Sequence, residues 1–124
     1  MSKTDSYRDL IVYKKAYMLT MEIFEFSKMF PEEEKFSLTD QIRRSSRSVT
    51  SCLAESWVPR RYVKSFVNKL IDSLGEEYET DTCLDDSKDC KYLSEDVHQK
   101  IINEYYEVCK MLISMINNPD KWCP

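Results

Sequence analysis

Glycine is almost absent from this sequence, because Gly75 is the only one among 124 residues. Sheets and elaborate loops need many backbone positions with positive φ, which glycine supplies at the lowest steric cost. Gly-rich phosphate loops and dinucleotide-binding fingerprints need several glycines close together, so the sequence excludes both. The four prolines all lie between or after the apolar runs. This pattern predicts long helices joined by short corners.

Long hydrophobic runs are also missing. No uninterrupted apolar segment approaches the roughly 18 residues of a membrane-spanning helix. The opening residues 1–5 are polar and lack the apolar stretch of a signal peptide. We therefore expect a cytoplasmic protein with no membrane partner. The five cysteines are odd in number, widely spread and without paired spacing, which is typical of free thiols in that compartment.

Histidine is equally scarce, because His98 is the only one. A carboxylate-bridged di-iron bundle needs two Glu-x-x-His pairs, and Glu95 with His98 supplies one. Cys90 and His98 lack the spacing of a zinc site, no Cys-x-x-Cys pair occurs, and His98 is expected at the surface. We therefore predict that the protein is not an enzyme: no catalytic residue, no metal, no cofactor and no small-molecule substrate.

Apolar residues recur with helical spacing in four segments, at approximately residues 6–30, 38–56, 59–88 and 94–117. Within each segment the steps alternate between three and four, which places the apolar side chains on one helical face. Ser37 and Ser94 precede the second and fourth segments as candidate N-caps. The short connections predict antiparallel neighbours. The chain, residues 1–124, is therefore expected to form one all-α domain, an up-down-up-down four-helix bundle.

The first segment has more apolar surface than one neighbouring layer needs. Beside its main face runs a second row that contains Tyr13, Tyr17 and Phe24. This row indicates a contact beyond the bundle itself, so the three aromatics are candidate oligomer-interface residues. Glu55 is a fourth candidate and is the only acid in residues 41–64, which are otherwise basic in their charged side chains.

The net charge of −4 hides a strong segregation of charge along the chain. Residues 41–64 contain six bases against one acid, a net +5, whereas residues 72–96 have a net charge of −8. A phosphate backbone is attracted to the first segment and repelled by the second. The six bases are candidates for binding nucleic acid or a neighbouring subunit: Arg43, Arg44, Arg47, Arg60, Arg61 and Lys64.

Two interpretations of these arginines remain open at the level of sequence. Arg43 and Arg47 are four residues apart and share a helix face, with Arg44 at its edge. Because the arginine fork can donate two hydrogen bonds to one phosphate, this face is a candidate RNA-contact strip. The same arginines could instead pair with acids of the third helix, within one chain or between subunits of a head-to-tail ring.

Three motifs carry a resemblance to a known family. Residues 7–16 read Tyr-Arg-Asp-Leu-Ile-Val-Tyr-Lys-Lys-Ala, and residues 30–39 form an aromatic-Pro corner. Residues 41–49 read Gln-Ile-Arg-Arg-Ser-Ser-Arg-Ser-Val and are followed by Leu53-Ala54-Glu55. In these motifs the chain resembles the four-helix-bundle family of proteins encoded in intervening sequences of bacterial 23S ribosomal RNA genes.

The resemblance implies a left-handed bundle that assembles into a ring-like homopentamer without enzymatic activity. A related branch of the family serves as the accessory protein of diversity-generating retroelements, where a basic pentamer binds the reverse transcriptase and its template RNA. We therefore expect a homo-oligomeric scaffold whose partner is a structured RNA or a reverse transcriptase. The alternative is a protein-interaction module with no nucleic-acid role, in which the arginines serve subunit contacts.

Overall fold

The computed structural model describes residues 6–124, so the polar opening segment, where we expected no signal peptide, lies outside the described residues. The chain forms four helices: α1 (Ile11–Ser27), α2 (Leu38–Ser56), α3 (Val63–Asp89) and α4 (Glu95–Asn117). Short 3-10 turns lie before α1, between α1 and α2, and after α4: Tyr7–Asp9, Glu32–Glu34 and Pro119–Lys121. Residues 6–124 contain no strand, which confirms the all-α prediction.

The four helices enclose a single apolar core. Each helix packs against its neighbours in sequence, and α1 also packs against α4. This cyclic arrangement fits the expected up-down-up-down bundle. All four helices contribute fully buried side chains, among them Leu19, Ile23, Ile42, Leu53, Phe66, Leu70, Ile101 and Leu112. None of the helices in residues 6–124 combines the length and the apolar composition needed to cross a membrane.

The first helix begins later than the apolar pattern indicates. Ser6 caps only a 3-10 turn, in which its Oγ accepts a 3.1 Å hydrogen bond from the Arg8 N–H. Leu10 then adopts an extended backbone conformation, and α1 starts at Ile11. Periodicity alone does not detect this break, because Leu10 is buried although it lies outside the helix.

The two expected serine caps behave differently. Ser94 Oγ accepts a 3.2 Å hydrogen bond from the Val97 N–H, as an N-cap should. Ser37 instead donates a 2.6 Å hydrogen bond to Glu34 Oε1, and the same oxygen accepts the Leu38 N–H at 3.2 Å. The Glu34 carboxylate therefore takes the capping role at the start of α2.

Small polar side chains fill the interface between α2 and α3. Ser45 is buried there. Ser73 Oγ donates a 2.7 Å hydrogen bond to the Val49 carbonyl, and Thr80 Oγ1 lies 2.8 Å from Ser45 Oγ. Because these side chains are short and hydrogen-bonded, the two helices approach closely on this side.

Candidate nucleic-acid interface

Phe24, in the second half of α1, is surrounded by three cations. The guanidinium carbons of Arg43 and Arg47 lie 4.9 and 5.9 Å from the centre of its ring. Lys28 Nζ lies 4.7 Å from the same centre. An aromatic face attracts cations through its quadrupole. The structure therefore brings two of the candidate arginines together with one of the candidate interface aromatics.

Arg43 is held in place more firmly than Arg47. Its Nε donates a 2.8 Å hydrogen bond to Ser27 Oγ, and its Nη2 lies 3.4 Å from the Phe24 carbonyl oxygen. Arg43 is half-buried, whereas Arg47 is exposed. One arginine thus anchors α2 to α1, and the other points its charge toward solvent.

Neither arginine pairs with an acid of α3. Within residues 6–124, the ion pairs involve neither Arg43 nor Arg47. The contacts of Arg43 lie on α1, because that face of α2 turns away from α3. Pairing within one chain is therefore not observed, and pairing between subunits stays a prediction.

An aromatic row continues from Phe24 toward the start of α1. Tyr13 and Tyr17 stack with ring centres 6.1 Å apart, and Tyr7 meets Tyr13 edge-on at 5.0 Å. The Arg8 guanidinium lies 4.9 Å from the centre of the Tyr7 ring. We call this surface the basic–aromatic strip, and its members are Tyr7, Arg8, Tyr13, Tyr17, Phe24, Lys28, Arg43 and Arg47.

Three members of the strip were missed in the sequence. The spacing of Phe24 and Lys28, one helical turn apart, was a usable signal for a cation over a ring. Tyr7 and Arg8 carried no comparable signal, because they precede α1 and their position depends on the 3-10 turn.

The other four candidate bases lie elsewhere. Arg44 pairs with Asp40 on its own helix, with 3.6 Å between Nη1 and Oδ2. Arg60 lies at the α2–α3 corner, with its guanidinium carbon 3.9 Å from the centre of the Trp57 ring. Arg61 and Lys64 are exposed near the same corner. This corner group follows the end of α2, whereas Arg43 and Arg47 lie within that helix.

Glu55, the acidic candidate for an oligomer interface, has a partner within the chain. Its Oε1 lies 2.9 Å from Lys69 Nζ, which joins α2 to α3. Both side chains are largely exposed, so the pair adds little stability. The position of Glu55 beside α3 also separates it from the strip on α1.

The most unusual chemistry in the chain lies in the interior, between α3 and α4. Glu77 is completely buried, and the Cys109 thiol donates a hydrogen bond to its Oε1. Burial, together with the neighbouring Asp81, raises the pKa of Glu77 to about 9. Burial also raises the pKa of Asp81. A protonated Glu77 can donate to the Asp81 carboxylate, so the two groups hold a proton between them near neutral pH.

This buried pair was missed, although a signal for it exists. Leu70, Ser73, Glu77, Thr80 and Leu84 follow alternating steps of three and four, and all five are buried. Their spacing places Glu77 on the core face of α3. A carboxylate is normally assigned to the surface because burying its charge is costly.

The surface position expected for His98 is wrong. Its side chain is buried, and its Nε2 lies 2.8 Å from Asp85 Oδ1 on α3. The ring packs at the start of α4, where Asp85 offers an acceptor and so reduces the cost of burying a polar group. Within residues 6–124, no three His, Cys, Asp or Glu side chains are arranged to hold a metal ion.

Comparisons with known proteins agree with the motifs. Residues 8–114 match the family model described as 23S rRNA-intervening sequence protein. A crystal structure from Bacteroides thetaiotaomicron, described as a protein of unknown function from the S23 ribosomal protein family, is 28% identical, with a TM-score of 0.77. The similarity covers 86% of this chain and 98% of that one. No curated protein matches the chain. Since the family model spans most of the sequence, the chain belongs to the 23S rRNA-intervening sequence protein family.

Proposed function

We propose that the protein is a non-enzymatic, homo-oligomeric scaffold that binds RNA or a ribonucleoprotein through the basic–aromatic strip. The observation that supports this most directly is the clustering of Arg43, Arg47 and Lys28 around Phe24. Guanidinium groups suit phosphate because they donate two hydrogen bonds at once and are weakly hydrated.

The anchoring of Arg43 favours binding. Its Nε and Nη2 face Ser27 and the Phe24 carbonyl, while its other N–H groups have no acceptor among residues 6–124. A side chain that is already fixed loses less conformational entropy when a ligand binds. Arg43 is therefore suited to position an RNA backbone, and the exposed Arg47 to neutralise it.

The distribution of charge gives the proposed complex an orientation. The exposed acids Asp72, Glu79, Asp85, Asp86 and Asp89 lie along α3, while the strip lies on α1 and α2. Phosphates are repelled by the first surface and attracted by the second. RNA would therefore bind on one side, which leaves the acidic side free for other contacts.

Exposed apolar side chains support assembly into an oligomer. Ile11 and Met18 on α1 are 73% and 58% exposed, and Tyr106 on α4 is 63% exposed. Large contiguous patches of exposed apolar surface mark protein–protein interaction sites. A ring-like pentamer, and a role beside the reverse transcriptase of a diversity-generating retroelement, are the specific forms that the family resemblance favours.

Binding of a fluorescent RNA hairpin, followed by anisotropy at several salt concentrations, tests the RNA part. We expect Arg47→Ala to weaken binding and to reduce the slope of log affinity against log salt by about one. The matched control is Arg61→Ala, which removes an exposed arginine outside the strip. Binding that is undetectable at low salt, or insensitive to salt, would show that the proposal is wrong.

The alternative is a protein-interaction module in which the strip joins subunits. Tyr17 stacks on Tyr13 and is still about half exposed, and this exposed ring favours a contact with another subunit. Sedimentation of the Arg43→Ala/Arg47→Ala variant separates the two functions. If the oligomer dissociates and the intact protein binds no RNA, the alternative is correct. An intact oligomer that has lost RNA binding supports the scaffold.

A further inference from the structure

We propose that the basic–aromatic strip takes single-stranded RNA, whose unpaired bases stack on its tyrosines, rather than duplex RNA. This inference rests on the proposed RNA-binding function and specifies its ligand. Duplex RNA is recognised through its shape and its backbone, whereas unpaired bases stack on aromatic rings and on guanidinium planes. The composition of the strip distinguishes between these two modes.

The aromatic row has the dimensions of a short single strand. Tyr13, Tyr17 and Phe24 project within about 40° of one another around α1. From Tyr13 to Phe24 the helix rises roughly 16 Å, which is long enough to contact a few nucleotides. Tyr7 extends the row beyond the start of α1, since its ring meets Tyr13 edge-on.

Cations occupy the ends of the row and leave its centre aromatic. Arg43, Arg47 and Lys28 surround Phe24, and Arg8 lies over Tyr7. In the described part of the chain, no cation lies over the rings of Tyr13 or Tyr17. Tyr17 is 49% exposed, so its ring is accessible to a flat ligand. The centre of the strip is thus suited to bases, and its ends to phosphates.

The charge of the strip is too sparse to favour a duplex. Lys28 is partly neutralised by Glu25, whose Oε1 lies 3.3 Å from its Nζ. Arg43 already directs two nitrogens toward protein acceptors. Few phosphates can therefore be neutralised, and a duplex gains nothing from the exposed tyrosine because its bases are already stacked. A single strand gains both kinds of contact.

The test compares a fluorescent 12-nucleotide RNA of mixed sequence, free of secondary structure, with the same RNA annealed to its complement. We expect the full-length protein to bind the single strand at least tenfold more tightly at equal salt. Tyr17→Ala should weaken binding of the single strand on the order of tenfold and leave duplex binding unchanged. Tyr17→Phe keeps the ring and should bind like the intact protein. Tyr62→Ala removes another exposed tyrosine, which lies at the α2–α3 corner outside the strip, and should have no effect.

The possible outcomes separate base stacking, RNA binding and subunit contact. Equal affinity for both RNAs, with no loss in Tyr17→Ala, would overturn stacking while leaving the proposed RNA-binding function in place. Absence of binding to either RNA would overturn the proposed function itself. If Tyr17→Ala instead dissociates the oligomer, as sedimentation would show, the ring belongs to a subunit interface and the inference is wrong.

Discussion

The Cys109 thiol on α4 donates its hydrogen bond to Glu77 Oε1 on α3, in the interior of the bundle. Asp81, one turn along α3, is the neighbouring acid that adds to burial in raising the pKa of Glu77. The site therefore combines a thiol with two carboxyl groups, in a place where a fully ionised pair would be strongly destabilised. The fold stays stable because Glu77 keeps its proton.

Loss of that proton makes stability depend on pH. In the unfolded chain Glu77 ionises near its ordinary pKa of 4.5, whereas in the folded chain its pKa is about 9. Between these values the folded state binds more protons, so the free energy of unfolding falls as the pH rises. The slope is at most about 1.4 kcal/mol per pH unit. We expect urea unfolding followed by circular dichroism to show a decrease of about 1–3 kcal/mol from pH 6 to pH 8.

The Glu77→Gln variant isolates this contribution. Glutamine can accept from the Cys109 thiol and donate to Asp81, so it reproduces the hydrogen bonds of the protonated acid without titrating. We expect the variant to match the intact protein only near pH 4.5 and below, where the acid is protonated in both states, and to exceed its stability by an amount that grows from pH 6 to pH 8. Glu107→Gln, which changes an exposed carboxylate on α4, is the control and should keep the original slope. An unchanged slope in Glu77→Gln would contradict the assignment.

The four helices could be predicted from the sequence, whereas the buried contact of Glu77 could not. Four helices and an all-α fold were predictable, because spacing of three and four residues is a local signal. Glu77 depends on Cys109, which is 32 residues away, and on the register of α3 against α4. Without that register, the sequence shows only a carboxylate on the core face of a helix and does not reveal the thiol that it contacts.

The basic–aromatic strip shows the same limit. The aromatic row on α1 and the arginine pair on α2 were each visible as a helical face. Their meeting was not, because the contact between Arg43 and Ser27 spans 16 residues and depends on how the two helices pack. A binding role for all six bases stays a prediction, and the contact of Arg60 with Trp57 at the α2–α3 corner was not visible in the sequence. Charge segregation along the chain locates basic segments but does not define surfaces.

Tyr92 links the two corners at one end of the bundle. Its hydroxyl donates a 2.9 Å hydrogen bond to Glu34 Oε2, and hydrogen bonds from Ser37, Tyr92 and the Leu38 N–H lower the pKa of Glu34. This lowered pKa stabilises the fold above pH 4.5, and the contribution is lost as the pH falls through the folded-state pKa. In Tyr92→Phe we expect the pKa of Glu34, measured by carboxyl ¹³C NMR, to rise toward its ordinary value. Tyr106→Phe is the matched control, and an unshifted Glu34 in Tyr92→Phe would exclude the link.

The two strip arginines should differ in their effect on stability. Arg43→Ala removes the hydrogen bond to Ser27 and the packing on Phe24, so we expect the free energy of unfolding to fall by about 1–2 kcal/mol. Arg47→Ala removes an exposed side chain and should stay within ~0.5 kcal/mol of the intact protein. Urea unfolding of both variants measures the difference. Equal stability of the two variants would mean that Arg43 does not anchor α2 to α1.

Gly75 lies in the middle of α3, where glycine lowers helix stability by about 1 kcal/mol relative to alanine. It is exposed, its φ is not positive, and a Cβ added there would meet nothing within 4 Å. No contact among residues 6–124 therefore requires a glycine, and we expect Gly75→Ala to raise the free energy of unfolding by about 0.5–1 kcal/mol. Urea unfolding at low protein concentration tests this on the isolated chain, with Ser65→Ala, an exposed position on the same helix, as the reference.

Because neighbouring Ile71 and Tyr78 are about half exposed, sedimentation of the Gly75→Ala variant adds a second test. If Gly75→Ala stabilises the chain but weakens its assembly, the missing Cβ leaves room for a second subunit. If it does neither, the glycine at position 75 does not limit the stability of α3.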